Sequence, residues 1–148
     1  MNRTESKKLQ TQIERFSTQF KKLDTMESSL LRERWINEFT DASAKVKSLQ
    51  FLWQVFSLGL VSHVSGDVAR NSFRSVEDLG FYVLPAGKTG ASYRCMSSSQ
   101  PNFEGKGYDI LLVSLNFTWT MAYNHEGYGP FFMRQEKEKC SGYQLTNV

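Results

Sequence analysis

The chain has 148 residues, 40% of them hydrophobic and 22% charged, with a net charge of +3. That is one domain's length, enough to bury a core without disulfides or metals, in a composition ordinary for a globular protein. The longest apolar stretch, Phe51–Val61, is broken by Gln54, Ser57 and Gly59, well short of the roughly 18 unbroken residues of a membrane helix.

The opening MNRTESKKLQ has no apolar segment behind its charges, so it does not read as a secretory signal and the expected setting is cytoplasmic. In that compartment Cys95 and Cys140 are expected as free thiols. The charge is uneven. Arg3, Lys7, Lys8, Arg15, Lys21 and Lys22 against Glu5 and Glu14 give residues 1–22 a net of +4, leaving −1 for the rest. Such a segment could meet nucleic acid, but its charges are mixed and modest, and a solvated helix face is the expected outcome.

Leu9, Ile13, Phe16, Phe20 and Leu23 recur at alternating spacings of four and three, which predicts an amphipathic helix over Thr4–Leu23. Asp24 followed three residues later by Glu27 is a capping-box variant. It opens a second helix whose buried face should be Met26, Leu30, Leu31, Trp35 and Phe39, ending near Asp41-Ala42-Ser43. Helices joined this tightly are expected to pack antiparallel. Lys45–Ser57 fits either period; its aromatic and β-branched content favours a short helix or turn leading into a strand at Leu52–Ser57. A third helix is expected over Asp67–Asp78, with Val68, Phe73 and Val76 facing inward.

From Gly80 the character becomes β. Phe81–Leu84 and Ala91–Met96 read as a hairpin across a Pro85–Gly90 turn. Ser97–Gly107 reads as a polar loop, the internal segment expected to move most. Tyr108–Leu115 and Phe117–Asn124 form the clearest hairpin. In its second strand Phe117, Trp119, Met121 and Tyr123 alternate with Thr118, Thr120, Ala122 and Asn124, predicting one apolar and one polar face. After a turn at Gly127–Pro130, Phe131–Arg134 is expected as the last strand. Residues 1–3 and 135–148 are expected to fray, with Tyr143 as the tail's one anchor. The fold class is therefore α+β in a single domain: two N-terminal helices on a mostly antiparallel sheet of four to six strands, with a short middle helix.

Chemistry-bearing patterns are few. Pro85-Ala86-Gly87-Lys88-Thr89-Gly90 resembles part of a phosphate-binding loop, but that motif needs an earlier glycine where Tyr82 stands and a helix afterwards. His125-Glu126 resembles the start of a zinc-protease motif, but Gly129 replaces the second histidine and Pro130 forbids the helix. His63, Cys95, His125, Glu126 and Cys140 show no metal-ligand spacing, so no metal or other cofactor is expected. Cys95 and His125 are at most a nucleophile and base by residue type. Trp53, Trp119, Tyr123 and Tyr128 could line an aromatic pocket around His125, though Trp53 and Trp119 read more naturally as core.

Three segments carry a resemblance: Leu52-Trp53-x-Val55-Phe56-Ser57; Gly66-Asp67-x-Ala69-Arg70 with Phe73, then Phe81-Tyr82; and Phe117-Thr118-Trp119-Thr120, His125-Glu126, Gly129-Pro130-x-Phe132. In order and spacing they resemble domain-of-unknown-function family 4275, small proteins mainly of Gram-positive bacteria, over about residues 30 to 134. The family often has an acid before the Phe-Thr-Trp-Thr segment, where this chain has Asn116. The resemblance implies a small cytosolic bacterial protein and no established activity.

The candidate site is His125 and Glu126 as the catalytic pair, with Trp119, Tyr123, Tyr128, Asp67 and Arg70 as binding residues, the last two delivered by the third helix. With no complete catalytic constellation, the leading expectation is a non-catalytic protein-binding module of the immunity or antitoxin kind. The alternatives are a small enzyme or ligand-binding protein using His125 and Glu126, and a nucleic-acid binder through the basic first helix.

Overall fold

One antiparallel sheet organises the chain, and helices cover both of its faces. The structure, a computed structural model, describes residues 1–41 and 43–135. Along the chain lie α1 (Arg3–Phe16), β1 (Ser17–Lys22), α2 (Thr25–Phe39), α3 (Ser43–Lys47), α4 (Gln54–Ser57), β2 (Val64–Ser65) and α5 (Gly66–Arg74). Then come β3 (Gly80–Pro85), β4 (Tyr93–Ser97), β5 (Ile110–Ser114), β6 (Trp119–Tyr123) and β7 (Phe131–Arg134). The seven strands are ordered β1-β4-β3-β5-β6-β7-β2. The class is α+β, with more strands than the four to six expected.

Strand alternation sorts the core into two layers. Ile110 and Leu112 of β5, with Trp119, Met121 and Tyr123 of β6, pack with Leu9 and Ile13 of α1 and Ala69 and Phe73 of α5. Leu111 and Val113 of β5 and Ala122 of β6 pack with Leu31, Trp35, Ile36 and Phe39 of α2 and Val55 and Phe56 of α4. The two N-terminal helices therefore lie on opposite faces of the sheet rather than against each other. The reason is β1. The helix expected to reach Leu23 ends at Phe16, and Ser17–Lys22 pairs antiparallel with β4. Ser17 and Thr18 are weak helix formers, and Phe16 already stacks on Phe81, with ring centroids 5.9 Å apart. Lys21 and Lys22 thus sit on the edge strand, where lysines discourage further strand pairing.

The start of α2 is as the spacing requires. Asp24 Oδ1 accepts from Glu27 N–H at 2.7 Å, and Asp24 N–H donates to Glu27 Oε1 at 3.1 Å. Leu31, Trp35 and Phe39 are buried, with Ile36 beside them, whereas Met26 and Leu30 face outward. Leu52–Ser57 is turn and helix rather than strand. Leu52, Trp53, Val55 and Phe56 are all buried, which a helical turn achieves at adjacent positions without a strand partner. α5 stops at Arg74, before the expected Asp78; Phe73 and Val76 face inward and Val68 outward.

The β half follows the sequence closely: β3 pairs with β4, β5 with β6, and Phe131–Arg134 forms β7. The polar face of β6 differs. Thr118 and Thr120 are buried instead of facing solvent. Trp35 Nε1–H donates to Thr120 Oγ1 at 3.0 Å, and Thr120 donates to Leu112 O at 2.7 Å, so the hydroxyl is fully used. Ser97 ends β4, and residues 98–107 form a loop, but a fastened one: Gln100 Nε2–H donates to Phe73 O and Val76 O, and Phe103 is buried. Asn2, within the segment expected to fray, caps α1 by accepting from Glu5 N–H. Gln135 is tied to Phe117 O and Thr118 O; the rest of the expected frayed tail, with Tyr143 and Cys140, lies outside the described residues.

Candidate functional site

The sequence around residue 125 must turn sharply, and Asn124 makes it do so. Its Oδ1 accepts from Glu126 N–H at 3.0 Å and Tyr128 N–H at 3.1 Å, while its Nδ2 donates to Tyr128 O at 2.7 Å. A short polar side chain that reproduces backbone hydrogen bonds in this way is the usual device of a tight turn. It projects His125 from the end of β6 towards the start of β5, where Asp109 precedes Ile110.

Asp109 is the organising group. Its Oδ1 accepts from Trp53 Nε1–H at 2.9 Å and from His125 N–H at 3.0 Å. Its two oxygens lie 2.8 and 2.9 Å from His125 Nδ1. Its backbone carbonyl accepts from Ala86 N–H at 2.9 Å, which ties the pair to the end of β3. Phe51 and Trp53 flank the imidazole, at ring separations of 5.6 and 6.3 Å. The hydrogen bond to Asp109 raises the His125 pKa above its ordinary value, against a smaller opposing effect of desolvation; the carboxylates of Asp109, Glu126 and Glu5 also raise it. Nε2 makes no hydrogen bond to a described residue; Glu126 Oε1 approaches to 3.8 Å. With Nδ1 held as a donor, Nε2 is the nitrogen left to accept or give a proton.

His125 and Asp109 line an open cleft of about 400 Å³, with Met1, Asn2, Glu5, Phe51, Pro85, Gly87 and Gly107 around it. Glu126 stands beside the imidazole but not in that lining. The partner that holds the imidazole is Asp109, which the sequence reading passed over as part of a buried strand. Its signal was a lone carboxylate abutting the apolar run Ile110–Val113, a position where a charge needs partners.

The remaining candidates go elsewhere. Trp119 is core, edge-on to Phe73 and stacked with Phe132. Tyr123 is buried on the α1 and α5 side, and burial raises its hydroxyl pKa. It lines a small cleft of about 170 Å³ with Arg70 and Glu104. Arg70 bridges Glu104 at 2.7 Å and Asp67 at 2.6 Å, so α5 delivers both residues to that cleft's side of the sheet, away from His125. Tyr128 is exposed and lines a shallow groove with Ser57, Ser65, Gly66, Gly129 and Phe131.

Cys95 is buried, and desolvation pushes its pKa up to about 11, which makes it a poor nucleophile. It pairs with Phe81, itself opposite Ser114, whereas His125 follows Tyr123, which is opposite Ile110 at the other end of β5. The two cannot form a nucleophile–base pair. His63 packs against Phe56 and Phe131, whereas His125 packs against Phe51 and Trp53. Among the described residues no three His, Cys, Asp or Glu side chains cluster as metal ligands, and no helix is long and apolar enough to cross a membrane. Comparison with protein-family models, with curated proteins and with solved structures finds no match for this chain.

Proposed function

We propose that this protein binds a small polar ligand in the cleft beside His125, and that His125 exchanges a proton with it at Nε2 while Asp109 positions the ring. The observation that carries the reading is the doubly held Nδ1, with Asp109 at 2.8 and 2.9 Å. It fixes ring and tautomer and leaves the second nitrogen unspent, the arrangement that acid–base work needs. His125, Asp109 and Glu5 are the titratable side chains that line the cleft among the described residues, so the reading is proton transfer or hydrogen-bond recognition. The resemblance to family 4275 brings no activity; it suggests only a bacterial, cytoplasmic setting.

Native mass spectrometry of the full chain, purified gently from its own cells, tests this. A small-molecule adduct present in the natural protein and lost in His125→Ala supports the reading. An adduct retained by His125→Ala, or none in either protein, overturns it.

A second reading, binding to another protein, is favoured by the sheet's β2 end. Tyr128 is exposed there and lines a groove with Ser57, Ser65 and Phe131, and Leu58 and Val64, the chain neighbours of Ser57 and Ser65, are exposed too. Exposed apolar side chains gathered at one place commonly mark a docking surface. In the same experiment a second protein retained by His125→Ala and lost in Tyr128→Ser would support it.

A further inference from the structure

We infer that the cleft between the β1–α2 turn and the β3–β4 turn binds a phosphorylated small molecule. The cleft measures about 870 Å³ and lies on the other side of the 85–90 turn from His125; the two clefts share only Pro85 and Gly87 in their walls. That volume suits a small organic molecule rather than a bare ion.

Its chemistry is cationic. Lys21, Lys22, Arg32 and Lys88 line it, against Asp24 and Glu27. Both acids are already engaged. They form the reciprocal cap of α2, and Glu27 Oε2 also takes Lys21 Nζ at 3.3 Å. Lys22, Arg32 and Lys88 have no carboxylate partner among the described residues. Arg32 is the telling one. It is partly buried, and desolvation lowers its pKa. Its Nη1 donates to the carbonyls of Pro85, Ala86 and Gly87, the last at 2.6 Å. A partly buried guanidinium held only by neutral carbonyls keeps its charge unmatched, so an anion beside it is favoured, and a phosphoryl group offers the geometry it matches best.

The motif dismissed in the sequence returns here in another form. Pro85–Gly90 lacked a following helix, because β4 follows. The structure places the first turn of α2, with Thr25, Ser28 and Ser29, across the cleft from Gly87, Lys88 and Thr89. The polar wall opposite the loop therefore comes from an earlier segment of the chain. This inference does not rest on the His125 reading, and either can fail alone.

The test is an amide NMR titration of the full chain with inorganic pyrophosphate, and in parallel with a short single-stranded oligonucleotide. Saturable shifts confined to residues 22–32 and 86–92 are expected. They should be weakened about tenfold or more in Lys22→Glu/Lys88→Glu, where two charge-assisted contacts are reversed at exposed, fold-neutral positions. His125→Ala should bind pyrophosphate unchanged. Shifts that do not saturate, that spread over the α1 lysines, or that survive the double substitution overturn the inference. So does binding of the oligonucleotide without binding of pyrophosphate, which would assign the charge to a nucleic-acid backbone.

Discussion

Tyr123 and His125 are two residues apart at the end of one strand, yet they meet opposite surroundings. Tyr123 turns to the α1 and α5 side and is buried beside Arg70 and Glu104. There Arg70 meets Glu104 and Asp67, both within 2.7 Å. His125 turns to the side of Phe51 and Trp53, and its pairing with Asp109 leaves Nε2 open. The first network closes on itself, and the second ends on an unspent donor or acceptor. That distinguishes an ion-pair cluster that fastens a loop from one that can act on a ligand. Clustering of polar side chains alone would not separate them, since both clusters contain acids, a base and an aromatic.

The comparison breaks most severely where the sheet itself is removed. Trp119→Ala empties the contact with Phe73 and Phe132, and a loss of about 3–5 kcal/mol of stability is expected for a buried tryptophan. Urea denaturation would measure it. If Trp119 is architecture, any loss of ligand binding in this variant tracks the unfolded fraction. Next comes Asp109→Ala. It orphans Trp53 Nε1 and the His125 backbone amide together, each costing about 1–3 kcal/mol if left without an acceptor. Water reaches the His125 side, so the lower end of that range is expected, with ligand binding lost in protein that is still folded. Smaller still is Arg70→Gln on the closed side. Its ion pairs are partly exposed, so the melting temperature should fall slightly, and the difference from the natural protein should shrink with added salt. A His125 ring signal that moved in Arg70→Gln would show the two networks to be coupled and would undo the contrast.

Much of this architecture was legible in the residues. The capping box at Asp24 and Glu27, the hairpin of β5 and β6, and the final strand at Phe131 are local patterns with local causes. What was not legible depends on partners far away in the chain. Ser17–Lys22 fits a helical stripe as well as a strand, and only the β4 edge, some 71–80 residues on by the Ser17–Ser97 and Lys22–Tyr93 pairings, decides between them. Thr118 and Thr120 alternate as a solvent face would, but both are buried, with Trp35 of α2 as the polar partner of Thr120 and Ser114 and Asn116 as those of Thr118. At the site, His125 was visible because histidine is rare in this chain. Asp109 was hidden because its role comes from Trp53 and His125, residues 56 and 16 positions away. No sequence pattern says which face of a two-faced sheet a helix will cover, so the side on which α5 delivers Asp67 and Arg70 is not legible in the residues.

The subtlest expected effect concerns protons. Asp109 raises the pKa of His125 in the folded protein, whereas the unfolded chain has the ordinary value of about 6.5. The folded state therefore holds the imidazolium more tightly. Its contribution to stability is present in full below that unfolded value and is lost as the pH rises through the higher folded one. The His125 ring is nearly half exposed, so solvent screens the interaction and the stability change should be small. Ring-proton NMR should find His125 titrating above about 6.5, its signals told from those of His63 by their absence in His125→Gln. Asp109→Asn, which removes the charge but keeps an oxygen, should bring that midpoint down. Denaturation of the natural protein and of Asp109→Asn across the same pH range should show the largest gap at the acid end of His125's titration, narrowing as the imidazolium deprotonates. A gap constant with pH would mean that Asp109 serves only as the hydrogen-bond acceptor for the His125 backbone N–H and the Trp53 indole, and that His125 is no better a proton carrier than any surface histidine.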